Sequence, residues 1–142
     1  MTTSCELCEQ DGGLLVWRGE KLRVIRALDA NFPAFYRVVW QDHVAEWTDL
    51  VPADRSHLMQ TVAKVETVLR QALQPTKVNL ASLGNVVPHL HWHVIARFAD
   101  DSHFPNPIWG QKVRDVDATQ LEALRQAMPA LDEALAHVLR QG

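Results

Sequence analysis

The chain has 142 residues, nearly half of them apolar, and a formal net charge of −3 with histidine neutral. That length and composition suit one globular domain with a buried core. The charge argues against a nonspecific polynucleotide binder, which needs a basic surface, and no apolar run is long enough to span a bilayer. The leading segment Met1-Thr-Thr-Ser-Cys-Glu lacks the basic and apolar regions of a signal peptide. A cytoplasmic location is the expectation, where Cys5 and Cys8 stay reduced.

Leu14–Arg18 and Lys21–Leu28 are β-prone apolar runs separated by Gly19-Glu20, which predicts a hairpin. Phe35–Gln41 predicts a third strand after the turn at Pro33. Asp54 predicts the cap of a helix with Leu58, Val62, Val65 and Leu69 at helical spacing, ended by Pro75. Lys77–Leu83 predicts a fourth strand, which Gly84-Asn85 breaks, and Pro88 leads into a fifth. After Trp109, Asp117 with Gln120 resembles a capping box, and Leu121, Leu124, Leu131, Leu135 and Leu139 follow at helical spacing. Pro129 predicts a kink there, or two helices. The order suits an α+β domain over residues 1–109, a mostly antiparallel five-stranded sheet with one long helix on a face. Residues 110–142 would form a helical extension packed on the same domain.

The fifth strand carries the densest chemistry. It opens His89-Leu90-His91-Trp92-His93-Val94-Ile95, with histidine at every second position. In a regular strand, alternate side chains share a face, so three imidazoles would stand in a row about 7 Å apart. Imidazole can attack an electrophile, exchange a proton or bind a metal near neutral pH. Arg97, four residues beyond His93, shares that face and would offer a charged fork. Asn79, Asn85 and the backbone after Gly84 are further candidate donors to an anion.

This run resembles the signature of the histidine triad (HIT) superfamily of nucleotide hydrolases and transferases, His-φ-His-φ-His-φ-φ with φ apolar. All seven positions match. Lys77-Val78-Asn79-Leu80 and Gly84-Asn85 resemble the strand and loop before the triad, and Ala96-Arg97 resembles the Pro-Arg that follows it in diadenosine-polyphosphate hydrolases. The stretch from Asn79 to Trp109 is similar to bacterial HIT proteins labelled as diadenosine tetraphosphate hydrolases. The resemblance implies a HIT-like fold, a homodimer, and a small-molecule nucleotide as the substrate. It implies hydrolysis of a nucleotide phosphoanhydride, with no cofactor needed for the chemistry. By the same resemblance, His91 attacks the α-phosphate, His93 contacts a phosphate, His89 supports the site, and Asp29 matches the acid that binds ribose hydroxyls. Asp29 also reads as a plain turn residue in Asp29-Ala-Asn31-Phe-Pro33. Two positions depart from the family pattern: Asn85 stands where many members have Gln, and Val86 where they have Ser or Thr. The leaving-group acid and any phosphoramidate preference are therefore open, and a non-catalytic nucleotide binder is the rival class.

The triad as a catalytic metal site lacks the acid such a site wants soon after it, since Ala96 and Arg97 stand there. Cys5-Glu-Leu-Cys8 reads as half a zinc site, a redox pair or two free thiols. Some HIT relatives hold structural zinc with two such cysteines, a histidine at the position of His43 and the first triad histidine. The resemblance therefore implies a possible zinc set of Cys5, Cys8, His43 and His89. His57, His103 and His137 carry no predicted role. Trp17, Trp40 and Trp92 read as core, as does Trp109, which otherwise would cover a nucleobase or a subunit seam.

Overall fold

The computed structural model describes residues 4–142; residues 1–3 of the predicted domain and leader segment lie outside the described residues. A short helix, α1 (Glu6–Glu9), leads into strands β1 (Leu14–Arg18), β2 (Leu22–Arg26) and β3 (Phe35–Trp40). Helix α2 (Pro52–Leu73) follows, then β4 (Lys77–Ala81), β5 (His91–Arg97) and helix α3 (Ala118–Arg140). The five strands form one sheet in the order β1-β2-β3-β5-β4, and every neighbouring pair is antiparallel. This is the α+β architecture expected, with a short α1 added that four residues without periodicity could not announce.

The two faces of the sheet have different tasks. Leu22, Val24, Tyr36, Val38, Trp40, Val78, Val94 and Ala96 point to one side. There they form one apolar cluster with Leu58, Val62, Val65 and Leu69 of α2 and with Met128, Leu131, Leu135 and Leu139 of α3. The C-terminal helix thus shares the core of the sheet. Asp132 ties it down, accepting from the Tyr36 hydroxyl at 2.7 Å and from Arg26 Nε at 3.0 Å. Trp92 is partly buried against the same cluster.

Element ends differ from expectation for local reasons. Helix α2 begins at Pro52, capped by Val51, and Asp54 instead pairs with Lys21 at 2.8 Å. Proline suits the first helical turn because its φ is preset and its missing N–H has no partner to lose there. The helix closes on Gln74, at φ +48, just before Pro75. Strand β4 stops at Ala81, two residues early, and residues 82–90 form a loop with Gly84 at φ +71. In α3, Asp117 caps the amide of Thr119 at 2.8 Å, and one helical element runs through Pro129 rather than two. Pro129 lies on the exposed side, where water can bond the carbonyl that loses its partner one turn back. No described helix is long and apolar enough to cross a membrane.

Candidate active site

Strands β3 and β5 set the site. Their register pairs Arg37 with His93 and Val39 with His91. Cross-strand partners share a face, so both imidazoles and the guanidinium project from the side opposite α2 and α3. The His91 and His93 rings meet edge-on with centroids 4.9 Å apart. Both are buried. Burial lowers the pKa of each, with the nearby Arg37 cation acting in the same direction; His93 falls to about 3. Both rings are therefore neutral at ordinary pH.

Their tautomers follow from their partners. His91 Nδ1 lies 2.5 Å from the His89 carbonyl oxygen, which can only accept. Nδ1 therefore carries the hydrogen, and Nε2 keeps its lone pair. Arg37 Nε donates to His93 Nδ1 at 3.4 Å, so His93 carries its hydrogen on Nε2. One ring thus offers a nucleophilic nitrogen and its neighbour a donor.

Both rings open on a cavity of about 460 Å³, also lined by Gly12, Arg37, Gly84, Asn85 and Trp109. Gly84 and Asn85 were expected there; Arg37 was not, and Trp109 only on the second of its two readings. Trp109 is half-exposed and meets the His93 ring edge-on, centroids 5.0 Å apart, rather than packing in the core. A second cavity of about 230 Å³ lies by α3, lined mainly by Phe32, Phe98, Leu121 and Leu124, and contains neither imidazole nor guanidinium.

His89 leaves the expected row of three. Strand β5 begins only at His91, and the chain before it bends so that the amide of Leu90 donates to the Val44 carbonyl at 2.8 Å. The fully buried His89 ring turns toward α1 instead. Its Nδ1 lies 3.5 Å from Cys5 Sγ, 3.4 Å from Cys8 Sγ and 3.3 Å from His43 Nδ1. Cys8 Sγ lies 3.5 Å from His43 Nδ1, and all four donor atoms fall within 4.8 Å of one another. A tetrahedral zinc site with bonds of about 2.0–2.3 Å has edges of roughly 3.3–3.8 Å. Four of the six separations, at 3.3–3.5 Å, match those edges, and the others lie within 4.8 Å. Trp40 O lies 2.6 Å from His89 Nε2 and takes its hydrogen, which leaves Nδ1 free as a ligand.

Asn79 and Arg97 are engaged elsewhere. Arg97 does share the face of His91 and His93, but the loop after β5 folds over it and it is 2% exposed. Its Nε and Nη2 grip Asp101 at 2.8 and 3.0 Å, Nη1 donates to Asn79 Oδ1 at 2.9 Å, and Nη2 donates to the Asn106 carbonyl at 2.8 Å. Neither residue lines the histidine cavity. Asp29 Oδ1 accepts from the amides of Asn31 and Phe32 at 2.8 and 3.2 Å, the geometry of a turn, and it too lies outside that lining. Of the histidines without a predicted role, His57 packs edge-on against Trp40, His103 bonds Ser102 and His137 bonds Gln141.

Known proteins share this fold. The family profile described as HIT domain matches residues 11–100. An "AP-4-A phosphorylase" of Mycobacterium tuberculosis, found in two strains, is 30% identical over 107 residues, covering 71% of this chain and 55% of its own length. The chain therefore spans about half the length of that curated relative. A solved histidine triad protein from Bradyrhizobium japonicum is 30% identical with a TM-score of 0.67, over 84% of this chain and 90% of its own. Another, from Sinorhizobium meliloti, is 27% identical with a TM-score of 0.71, over 92% and 93%. The fold, the paired imidazoles and these matches agree: the chain belongs to the histidine triad (HIT) family.

Proposed function

We propose that this protein hydrolyses a nucleotide phosphoanhydride, with a diadenosine polyphosphate as substrate, through a nucleotidyl-histidine at His91. The observation that carries the reading is the His91 Nδ1 contact to the His89 carbonyl, which leaves Nε2 free at the cavity. Nε2 attacks the α-phosphorus; a nitrogen–phosphorus bond forms as the bond to the bridging oxygen breaks. The polyphosphate leaves as an anion, and the His89 carbonyl stabilises the cationic ring. Water then adds its oxygen to phosphorus, the nitrogen–phosphorus bond breaks, a proton is released and neutral His91 returns. His93 Nε2–H, Asn85 and the Gly84 backbone are the donors for the charge that spreads over the phosphoryl oxygens.

The name of the mycobacterial relative supports a second reading, in which inorganic phosphate accepts the nucleotidyl group in place of water. One incubation separates them. With diadenosine tetraphosphate, chromatography should show AMP and ATP whether or not phosphate is present. ADP that appears only with phosphate would replace hydrolysis by phosphorolysis, and tight binding without product would make the protein a binder.

We further propose that Cys5, Cys8, His43 and His89 hold a structural zinc ion, which would cross-link α1 to the start of β5. The ion would supply rigidity and take no part in the reaction. Elemental analysis of purified protein should find about one zinc per chain, as expected for one four-ligand site, and Cys8→Ser should lose it and melt lower. Metal-free protein that melts no lower than the loaded form would refute the site. The homodimer expected from the resemblance belongs to the same proposal, since β4 is an open sheet edge with Leu80, Leu83 and Trp109 exposed near it. Light scattering on the same sample reads the mass, and a monomer would refute that part.

A further inference from the structure

Four strand arginines stand on the histidine face of the sheet; Arg18 pairs with Asp11 at 2.6 Å, and two others have their hydrogen bonds filled. Arg23 donates to the carbonyls of Leu7, Gln10 and Asp11, and Arg97 to Asp101, Asn79 and Asn106. Arg37 differs. Its guanidinium lies 4.9 Å over the Phe35 ring, Nε reaches His93 Nδ1 at 3.4 Å, and Nη1 reaches the Gly12 carbonyl at 3.3 Å. Among the described residues it forms no ion pair, although Glu6 and Asp29 are near enough to be felt. A half-buried cation without a counter-charge is costly. This one lies over the Phe35 ring and lines the cavity of His91 and His93, where an anion would offset the cost.

We propose that Arg37 anchors the phosphate chain of the substrate and selects a charged polyphosphate leaving group over an amine. The inference rests on the phosphoanhydride reading above. A guanidinium stabilises developing negative charge but does not give up its proton. Val86, in the loop that lines the same cavity, is 92% exposed and has no proton to give. The amide of Asn85 is no acid either. A departing amine must be protonated, whereas a departing phosphate needs only a cation beside it. Arg37 supplies the second; apart from the imidazoles, Glu6 is the one acidic side chain in the lining, and among the described residues no hydrogen bond joins it to His91 or His93.

Arg37→Met keeps the length and the stack and removes the charge; Arg37→Lys keeps the charge and removes the fork. For diadenosine tetraphosphate, kcat/KM should fall at least about tenfold in Arg37→Met, the scale of a charge-assisted hydrogen bond. For adenosine 5′-phosphoramidate, which expels ammonia, it should fall less than about threefold. Arg37→Lys should lie between, and stays informative if the methionine variant melts early. Equal losses on the two substrates, or none on either, would overturn the proposal. A binding arm separates it from the chemistry. With His91→Ala as background, calorimetry should show tetraphosphate affinity falling at least about tenfold on adding Arg37→Met, with adenosine affinity unchanged. If the wild-type protein turns nothing over, the phosphoanhydride reading fails, and this arm alone decides the anchor. Unchanged tetraphosphate affinity, or no binding by either protein, would overturn it.

Discussion

Replacing His91 by alanine should lower turnover of a dinucleoside polyphosphate on the order of 10⁴-fold or more, the scale of losing a covalent nucleophile. Affinity for the nucleotide should change by less than about threefold, since the phosphate donors stay in place. A second substitution separates chemistry from folding. In His91→Asn the side-chain amide can still donate to the His89 carbonyl, as Nδ1–H does now at 2.5 Å. That variant keeps the local bond and more of the volume than alanine but has no nucleophilic nitrogen, so it should be as inactive as alanine while melting closer to wild type. Denaturation in alkali during wild-type turnover, where a nitrogen–phosphorus bond survives, should trap nucleotide on the protein, and neither variant should retain it. Turnover by either variant within about tenfold of wild type would remove His91 from the nucleophile's role.

The same residue marks how far the amino-acid pattern could be read. His91 and His93 were legible because strand periodicity alone puts them on one face. His89 was not, because periodicity is silent about where a strand begins. The bend at His89 goes with the bond from the Leu90 amide to Val44, a residue far away in the chain. The grouping of Cys5, Cys8, His43 and His89 came from resemblance, and no spacing rule joins residues so far apart. The structure nonetheless brings their four donor atoms together.

Arg37 shows a signal that was present and passed over. It is the one charged residue in Phe35-Tyr-Arg37-Val-Val-Trp40, a strand otherwise buried on both faces. A charge in such a strand costs free energy unless something compensates it, which is reason enough to ask what it faces. Trp109 was hidden for a different reason. Its place beside His93 depends on how the loop after β5 folds back, and proline-rich loops carry no periodicity from which to read that path. Helix α3 is a milder case, since Pro129 weakens a helix locally but burial of Met128, Leu131, Leu135 and Leu139 outweighs that cost.

Arg97 gives the largest expected effect on stability. Strand parity alone suggested a phosphate-binding fork, but the fork is closed on Asp101, Asn79 and Asn106. Asp101 also accepts from the amides of Phe98, His103 and Phe104, so the pair knits the loop to the end of β5. Arg97→Met leaves a buried carboxylate with its amides but no cation. The cost should be about 3 kcal/mol, the lower end for breaking a buried pair, or roughly a 10 °C fall in melting temperature. The pH dependence has a definite sign. Burial pushes the Asp101 pKa up, but the Arg97 bond and the three amides outweigh it, and the net value lies below the ordinary 3.8. Its contribution is therefore complete above that pH and is lost as pH falls through the depressed folded value, because the unfolded chain takes the proton first. Asp101→Asn should flatten the acid limb of the stability curve. Below their melting temperatures, Arg97→Met and wild type should share one KM, because Arg97 lies outside the histidine cavity. A raised KM with an unchanged melting temperature would return Arg97 to the substrate.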